Sequence, residues 1–562
     1  MQTSNRILIM GLDGATWDVL DPWIKDGTLP NLGRLRRQGS WGALRSTIPP
    51  LTAPAWSTFM TGKRPGKHGV FHFTNLFDAL QQTNGKRQIV NGQSIQSPTL
   101  WDIVAHAGRR VGVINVPMSY PPRPVNGFLI TCFLTPRHAP VFTYPPELSR
   151  RLPDYVIDLD RFIETKPYQG PHDSDAIAPT LALVQEFREM TDKRARTALS
   201  LMESEPWDIF MVVFTSTDRM GHYLWPYHRA PDPQDDPQVQ ELCRAVRQHY
   251  IRLDAIIGEL VATAGDETTL LIMSDHGMGL RPSKRVHLNN WLQQRGWLSP
   301  VKAQAERAAG LDGWLRRFGA PRDKIGRIAR RIPGLMNTRL MTQAANARSL
   351  EIDVKSSRAY AVSIFDTVAG IRLNPEAEQK EAWRREIDAS LKQLIDPDTG
   401  ERVVEEIYRG DDYYRGPYAE NVPEMLVVLK PEYSCGLRLG HYSALVTPVT
   451  APFHRGNHRM EGIFLASGRD IRANPEPLPN LAIEDVAPTA LYAMGLPVPA
   501  DMDGRVLTAV WEPALLHARP IQYARPLGFW PNGTGAVYEN EQLSEAEEET
   551  VRQRLAALGY LD

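Results

Sequence analysis

Five short, nearly continuous apolar runs narrow the folds open to this chain more than any other feature: Ile7–Met10, Val111–Val116, Ile209–Phe214, Thr269–Met273 and Gly462–Ala466. A strand that is apolar on both faces has to be covered on both, as a central strand of a parallel sheet flanked by helices is. The stretches between the runs have helical period. Thr99–Ala107 opens on a capping-type Thr and stops at Gly108, and Leu181–Glu203 is long and amphipathic. This alternation predicts an α/β fold with a mostly parallel central sheet and helices on both faces. No window approaches the roughly 18 apolar residues that a membrane-spanning helix needs.

Later segments depart from that rhythm. Val301–Arg348 holds eleven Lys or Arg against three acids, with Trp314, Leu315, Phe318, Ile325, Ile328 and Ile332 at helix-like spacing. It reads as a basic helical insertion: a solvated helix packed on the body, a lid over an anionic substrate, or a segment that touches an anionic membrane surface. A second alternating region follows, with strand-like Ala359–Ile364, a helix over Glu376–Ile395 and strand-like Glu424–Val428. Ser544 and Glu547 form a capping-box signature for a closing helix that Gly559 ends. The predicted division is 1–300 as the first part of the core, 301–350 as the insertion, 351–451 as an inserted α+β unit, 452–510 completing the core, and 511–562 as an extension with its helix.

Composition removes several function classes. Across 562 residues, 64 Lys plus Arg stand against 65 Asp plus Glu, a net charge of −1. That balance argues against a general polyanion binder, and so against a nucleic-acid duplex as partner. Three cysteines, Cys132, Cys243 and Cys435, are too few and too scattered for a disulfide framework or a thiolate cluster. The polar start enters Arg6 and Ile7–Met10 with no signal-peptide core behind a basic stretch, so a cytoplasmic location is expected.

Three of the strands run into acids: Asp13 after the first, Asp218 after the third, Asp275 after the fourth. In an open α/β sheet the working site lies beyond the carboxyl ends of the strands. A lone strand-end Asp is ordinarily a helix cap, but three, with histidines attached, point to a bound cation. Asp218 and His222 are four residues apart and converge if the turn between them is helical. Adjacent Asp275 and His276 face the same way only in a loop. His458, in Gly456-Asn-His458, adds a third imidazole, with His454 and His287 as nearby alternatives. Carboxylate and imidazole donors without thiolate suit Zn²⁺, with Mn²⁺ or Fe as alternatives. Three Asp and three His are the supply for two such ions, and two ions about 4 Å apart can clamp the attacking and leaving oxygens of a displacement at phosphorus. Thr52, in Thr52-Ala-Pro-Ala-Trp56, then has a use as the nucleophile.

Taken together, Asp13, Thr52, Asp218 with His222, Asp275 with His276, and His458 resemble the alkaline phosphatase superfamily, in its type I phosphodiesterase and nucleotide pyrophosphatase branch. Leu29–Leu32, Thr52–Gly62, Met273–Gly277, Asp485–Gly495 with Asp501–Gly504, and the closing Leu555–Leu561 look like segments of that family. The resemblance implies an alkaline-phosphatase-like core and two divalent metal ions. Asp218, His222 and His458 would hold one; Asp13, Asp275 and His276 would hold the other, which also binds the Thr52 oxygen. Thr52 would attack phosphorus and form a covalent phospho-enzyme that water hydrolyses. His458 is preferred over its alternatives because it sits four residues before the strand, as in the family. Family members often place an Asn where this chain has Phe73, so Asn75, two residues on, is the candidate substrate contact. Thr58, Thr61, His68 and His72 read as structural or supporting.

The expected activity is therefore hydrolysis of phosphodiester or phosphoanhydride bonds, on a phosphate-ester small molecule or a lipid headgroup. The alternatives are transfer of the phospho group to an acceptor alcohol, and a non-catalytic protein that binds anions or a membrane surface through 301–348 around a structural metal site. The sequence leaves the leaving group and the oligomeric state open.

Overall fold

In the computed structural model, which describes residues 6–75, 88–159, 177–302, 350–374, 378–440, 444–449, 455–528, 545–558 and 560–561, the first apolar run becomes β1 (Ile7–Leu12) with every residue buried. The chain divides into two units. The first takes Met1–Arg281, Tyr414–Asn421 and Pro452–Asp562. Its strands continue as β2 (Ser40–Arg45), β3 (Val111–Ile114), β4 (Gly127–Ile130), β5 (Thr143–Tyr144), β6 (Ile209–Phe214), β7 (Thr269–Met273), β8 (Gly277–Leu280), β9 (Gly456–Arg459), β10 (Glu461–Ser467) and β11 (Leu481–Ala482). Nine of them form one sheet in the order β11-β2-β10-β7-β1-β6-β3-β4-β5. β8 and β9 pair separately as an antiparallel ribbon.

The inner strands β7, β1, β6, β3 and β4 all run parallel, with Ile9 opposite Met211 on one side and Leu271 on the other. β6 is buried at all six positions, as an apolar run covered on both faces must be. β10 differs from the expectation of a parallel strand. It is antiparallel to both β7 and β2, because an apolar run specifies burial and carries no direction.

Six helices matter for the site: α1 (Thr52–Thr61), α2 (Leu100–His106), α3 (Ile177–Ser204), α4 (Ser216–Leu224), α5 (Pro237–Ala264) and α6 (Glu545–Ala557). α1 is buried at every position, which its Ala, Trp, Phe and Met content permits. α2 begins at the expected cap: Thr99 Oγ1 accepts from Asp102 N–H, Asp102 Oδ2 accepts from Thr99 N–H, and Gly108 follows at φ +75°. α3 and α5 are each 28 residues long and pack on one another. Ser544 and Gly559, the expected boundaries of α6, lie outside the described residues. So does the basic segment beyond Lys302. No helix among the described residues is long and apolar enough to cross a membrane.

The second unit takes Pro282–Tyr413 and Val422–Ala451. Its four-stranded antiparallel sheet has the order Ala359–Phe365, Val368–Leu373, Met425–Leu429, Val404–Arg409. The amphipathic helix Lys380–Leu391 belongs to the same core through Ile387 and Leu391, together with Trp291, Ile371 and Val427. Lys284–His287 pairs with Tyr433–Gly436 and Val446–Pro448 in a smaller sheet. The unit thus starts at Pro282, within the predicted 1–300 stretch, and Tyr414–Asn421 belongs to the first unit.

Candidate functional site

Because β7, β1 and β6 are neighbours, their carboxyl ends bring Asp275, Asp13 and the first turn of α4 to one place. Asp13 N–H extends the ladder past β1 by donating to Phe214 O at 3.0 Å. Gly14 then turns the chain with φ +67°. A Cβ at Gly14 would stand 3.0 Å from both Cα and Cβ of Asp218, so the turn and the close approach both call for glycine. Asp218 lies in the first turn of α4, and His222 follows one helical turn later on the same face. His276 precedes β8 and His458 sits on β9; their rings stack at 3.6 Å. Thr52 is the first residue of α1.

The side chains converge as a metal-binding set would. Asp218 Oδ1 lies 3.4 Å from His222 Nε2 and 3.5 Å from His458 Nε2, and the two Nε2 atoms are 3.0 Å apart. His276 Nε2 lies 3.7 Å from Asp13 Oδ1 and 3.2 Å from Asp275 Oδ2. Asp218 Oδ1 is also 4.0 Å from His276 Nε2, so the two groups are contiguous. Thr52 Oγ1 stands 3.3 Å from His276 Nε2. Donors of a tetrahedral zinc at about 2.1 Å are separated by about 3.4 Å, which these spacings match.

Each group is held in a definite orientation. His458 Nδ1 donates to Pro50 O at 2.7 Å and His276 Nδ1 to Gly277 O at 3.0 Å, which turns both Nε2 atoms toward the carboxylates. Asp275 Oδ1 accepts from Gly14 N–H at 3.2 Å, and Asp13 Oδ2 from Trp56 Nε1 at 3.3 Å. Asp218 Oδ2 accepts from Arg219 Nη1 and Tyr560 Oη, both at 2.7 Å. In every case the other oxygen, Asp13 Oδ1, Asp218 Oδ1 or Asp275 Oδ2, is buried without a hydrogen-bond partner, and these are the atoms that face the imidazoles. Buried acceptors left unpaired are expensive unless a cation is to meet them.

Electrostatics point the same way. Burial, then the Asp275 and Asp218 charges, pushes the Asp13 carboxyl well above its ordinary value. Burial and Asp218 push Asp275 up to about 8. Burial would also raise Asp218, but His222, His458 and Arg219 outweigh it and hold that carboxyl well below its ordinary value. Burial and His276 push His458 down to about 3, and burial lowers His276, so both rings are neutral and available as ligands. A divalent cation would reverse the penalty on the carboxylates.

The remaining candidates have other occupations. Asn75 Oδ1 accepts from Gln88 N–H at 2.8 Å. Thr58 Oγ1 meets His68 Nε2 at 3.0 Å, and Thr61 Oγ1 donates back to Ser57 O. His72 is buried beside Thr74. In the second unit His287 Nε2 meets Thr447 Oγ1 at 2.9 Å. His454 lies outside the described residues. Sequence reasoning gave no role to Trp56, Arg219 or Tyr560. Arg219 directly follows Asp218, and an arginine beside a strand-end acid is a signal that could have been used.

A sequence model for a family described as type I phosphodiesterase / nucleotide pyrophosphatase matches residues 7–441. Among solved structures, phosphonoacetate hydrolase from Sinorhizobium meliloti 1021 is similar in two complexes. With phosphonoformate the likeness is TM-score 0.51 at 14% identity, over 87% of this chain and 95% of that one. With phosphonoacetate it is 0.51 at 15%, over the same shares. Human ectonucleotide pyrophosphatase / phosphodiesterase 5 is matched at TM-score 0.45 and 14% identity, over 92% of this chain and 99% of that one. No curated protein sequence matches. The likeness to the two phosphonoacetate hydrolase structures supports an alkaline-phosphatase-like fold.

Proposed function

The chain belongs to the type I phosphodiesterase / nucleotide pyrophosphatase family, and from that membership we propose that it cleaves phosphodiester or phosphoanhydride bonds by attack of Thr52 Oγ1 on phosphorus. At the coarser level it is a phosphohydrolase of the alkaline phosphatase superfamily. The observation that carries the finer reading is the trio of unpartnered, buried oxygens, Asp13 Oδ1, Asp218 Oδ1 and Asp275 Oδ2, turned toward imidazoles beside the Thr52 hydroxyl. Asp218, His222 and His458 would hold one divalent cation; Asp13, Asp275 and His276, with Thr52, would hold a second. The donor set favours Zn²⁺, with Mn²⁺ or Fe as alternatives. When bound, the cations supply Lewis-acid charge for the phosphoryl oxygens and for the oxygens that attack and leave.

The chain's own residues do the rest. Thr52 opens α1, whose first intrahelical bond of that turn is Ala55 N–H to Leu51 O. The N–H groups of Thr52 and Ala53 precede that bond and suit phosphoryl oxygens at the positive end of a helix. In the first step the Thr52 Oγ1–P bond forms, the bond to the leaving alcohol or phosphate breaks, and the Thr52 hydroxyl proton goes to the leaving oxygen. In the second, water attacks phosphorus, the Thr52 oxygen leaves and takes back a proton, and phosphate or a phosphomonoester is released. Burial of Asp13, Thr52, Asp218, Asp275 and His276 keeps bulk water from the charged groups.

The test is Thr52→Ala, assayed with Zn²⁺ or Mn²⁺ on an aryl monoester, an aryl diester and a nucleotide anhydride. The wild type should turn over at least one of these. The variant should lose that turnover and keep its metal. Undiminished hydrolysis by the variant would end the nucleophile assignment.

A further inference from the structure

The segment after α6 carries an aromatic residue into the site just described. Tyr560 is 2% exposed, and its ring stacks on Phe73 at 4.8 Å and 19°. It also meets the edges of His222 and His458, at 5.8 and 5.6 Å. A phenylalanine would satisfy that aromatic surrounding, so the hydroxyl requires its own account, since burying one without partners is unfavourable.

Every bond that hydroxyl makes lies at the proposed reaction centre. Its proton goes to Asp218 Oδ2 at 2.7 Å, and its oxygen accepts from Arg219 Nη1 at 3.0 Å. Arg219 is itself pinned by Asp158 Oδ2 at 2.9 Å. Two donors on Oδ2 turn the other oxygen, Oδ1, toward His222 and His458. The segment is anchored well enough to hold this position. Arg554 Nη1 donates to Phe133 O and to Thr135 O, Tyr223 Oη donates to Ala557 O at 2.7 Å, and Tyr560 N–H donates to Leu555 O at 2.9 Å.

We propose that Tyr560 is a positioning residue of the reaction: its hydroxyl, together with Arg219, holds Oδ2 of Asp218, so that the oxygen facing His222 and His458 is set in place by the segment after α6. The inference rests on the reading of Asp218 as a ligand in the proposed function. Outer partners of ligand carboxylates typically contribute 10–100-fold to metal affinity or activity.

Tyr560→Phe keeps the ring on Phe73 and removes only the hydroxyl. It is measured in the full chain beside Tyr492→Phe, which removes the bond of another buried hydroxyl, that of Tyr492 Oη to Arg519 O at 2.7 Å. The readouts are kcat and KM on an aryl phosphodiester, Zn²⁺ affinity by competition with a chromophoric chelator, and the melting temperature. Tyr560→Phe should lower kcat about 10–100-fold with KM changed less than about threefold, and should weaken Zn²⁺ affinity about tenfold. Tyr492→Phe should match its loss of melting temperature and leave kcat and Zn²⁺ affinity within about twofold. If kcat and Zn²⁺ affinity of Tyr560→Phe equal those of the wild type, or fall no further than those of Tyr492→Phe, the positioning role is overturned while the hydrolase reading stands. If the wild type turns over no phosphate ester but Tyr560→Phe still weakens Zn²⁺ binding, the hydrolase reading fails and the hold on Asp218 stands.

Discussion

Arg219 offers the sharpest energetic test of how this site is built. Its guanidinium is wholly buried between Asp218 and Asp158, whose side chains are 0% and 1% exposed, at 2.7 and 2.9 Å. Replacing it by Met keeps much of the volume and leaves two dehydrated carboxylates without their cation. Removing one partner of a buried pair destabilises by about 3–5 kcal/mol. Asp158 bears that loss in every state, but Asp218 would be compensated again by a cation on its free oxygen. Arg219→Met should therefore lose about 3–5 kcal/mol in chelator and measurably less with Zn²⁺ present. The assay is urea unfolding of wild type, Arg219→Met, Asp158→Asn and the double variant, each with chelator and with Zn²⁺. Because Asp158 and Arg219 touch, the double variant should be more stable than additivity gives, by about 0.5–3 kcal/mol. A loss below about 1 kcal/mol in chelator, or strict additivity, would refute the reasoning. An identical loss with and without Zn²⁺ would refute the part that concerns Asp218.

Two further outcomes follow from the same geometry. Gly14→Ala should lose about 1–2 kcal/mol for its left-handed backbone and should weaken Zn²⁺ binding, because the new methyl meets Asp218 at 3.0 Å; unchanged melting and affinity would contradict this. His68 is pushed down to about 3, by burial and then by Lys63, while its Nδ1 accepts from Val70 N–H at 3.2 Å and its Nε2 meets Thr58. A lowered histidine stabilises fully above its unfolded value, about 6.5, and that contribution is lost as pH falls toward about 3. His68→Gln should thus flatten the acid side of the stability curve by up to about 1.4 kcal/mol per pH unit between those values, and urea unfolding at two pH values would show an unchanged slope if this is wrong.

Much of the core was legible because its signals are local. β1, β6 and β7 read as apolar runs, and the acids that follow them read as strand-end groups, since burial on both faces leaves little else for such sequences to do. The spacing of Asp218 and His222 carried its own geometry once α4 was helical. What was not legible depends on distant contacts. The direction of β10 is set by its partners β7 and β2. Tyr560 meets Asp218 across 342 positions, and no local pattern marks a tyrosine near the close of the sequence as a neighbour of a metal ligand. The start of the second unit at Pro282 was hidden because Lys284–His287 finds its partners only at Tyr433–Gly436 and Val446–Pro448. An offset from a motif picks out Asn75, and it carries no sign of the Gln88 N–H that its side-chain oxygen accepts.

The central claim is that the buried Asp and His cluster holds two divalent cations. Metal analysis of purified protein after Zn²⁺ reconstitution and exhaustive dialysis tests it most directly, with His222→Ala measured alongside. Two-metal occupancy predicts about two equivalents in the wild type and about one in the variant, in which the set of Asp218, His222 and His458 is incomplete. Less than one equivalent in the reconstituted wild type, or the same content in both proteins, would contradict it.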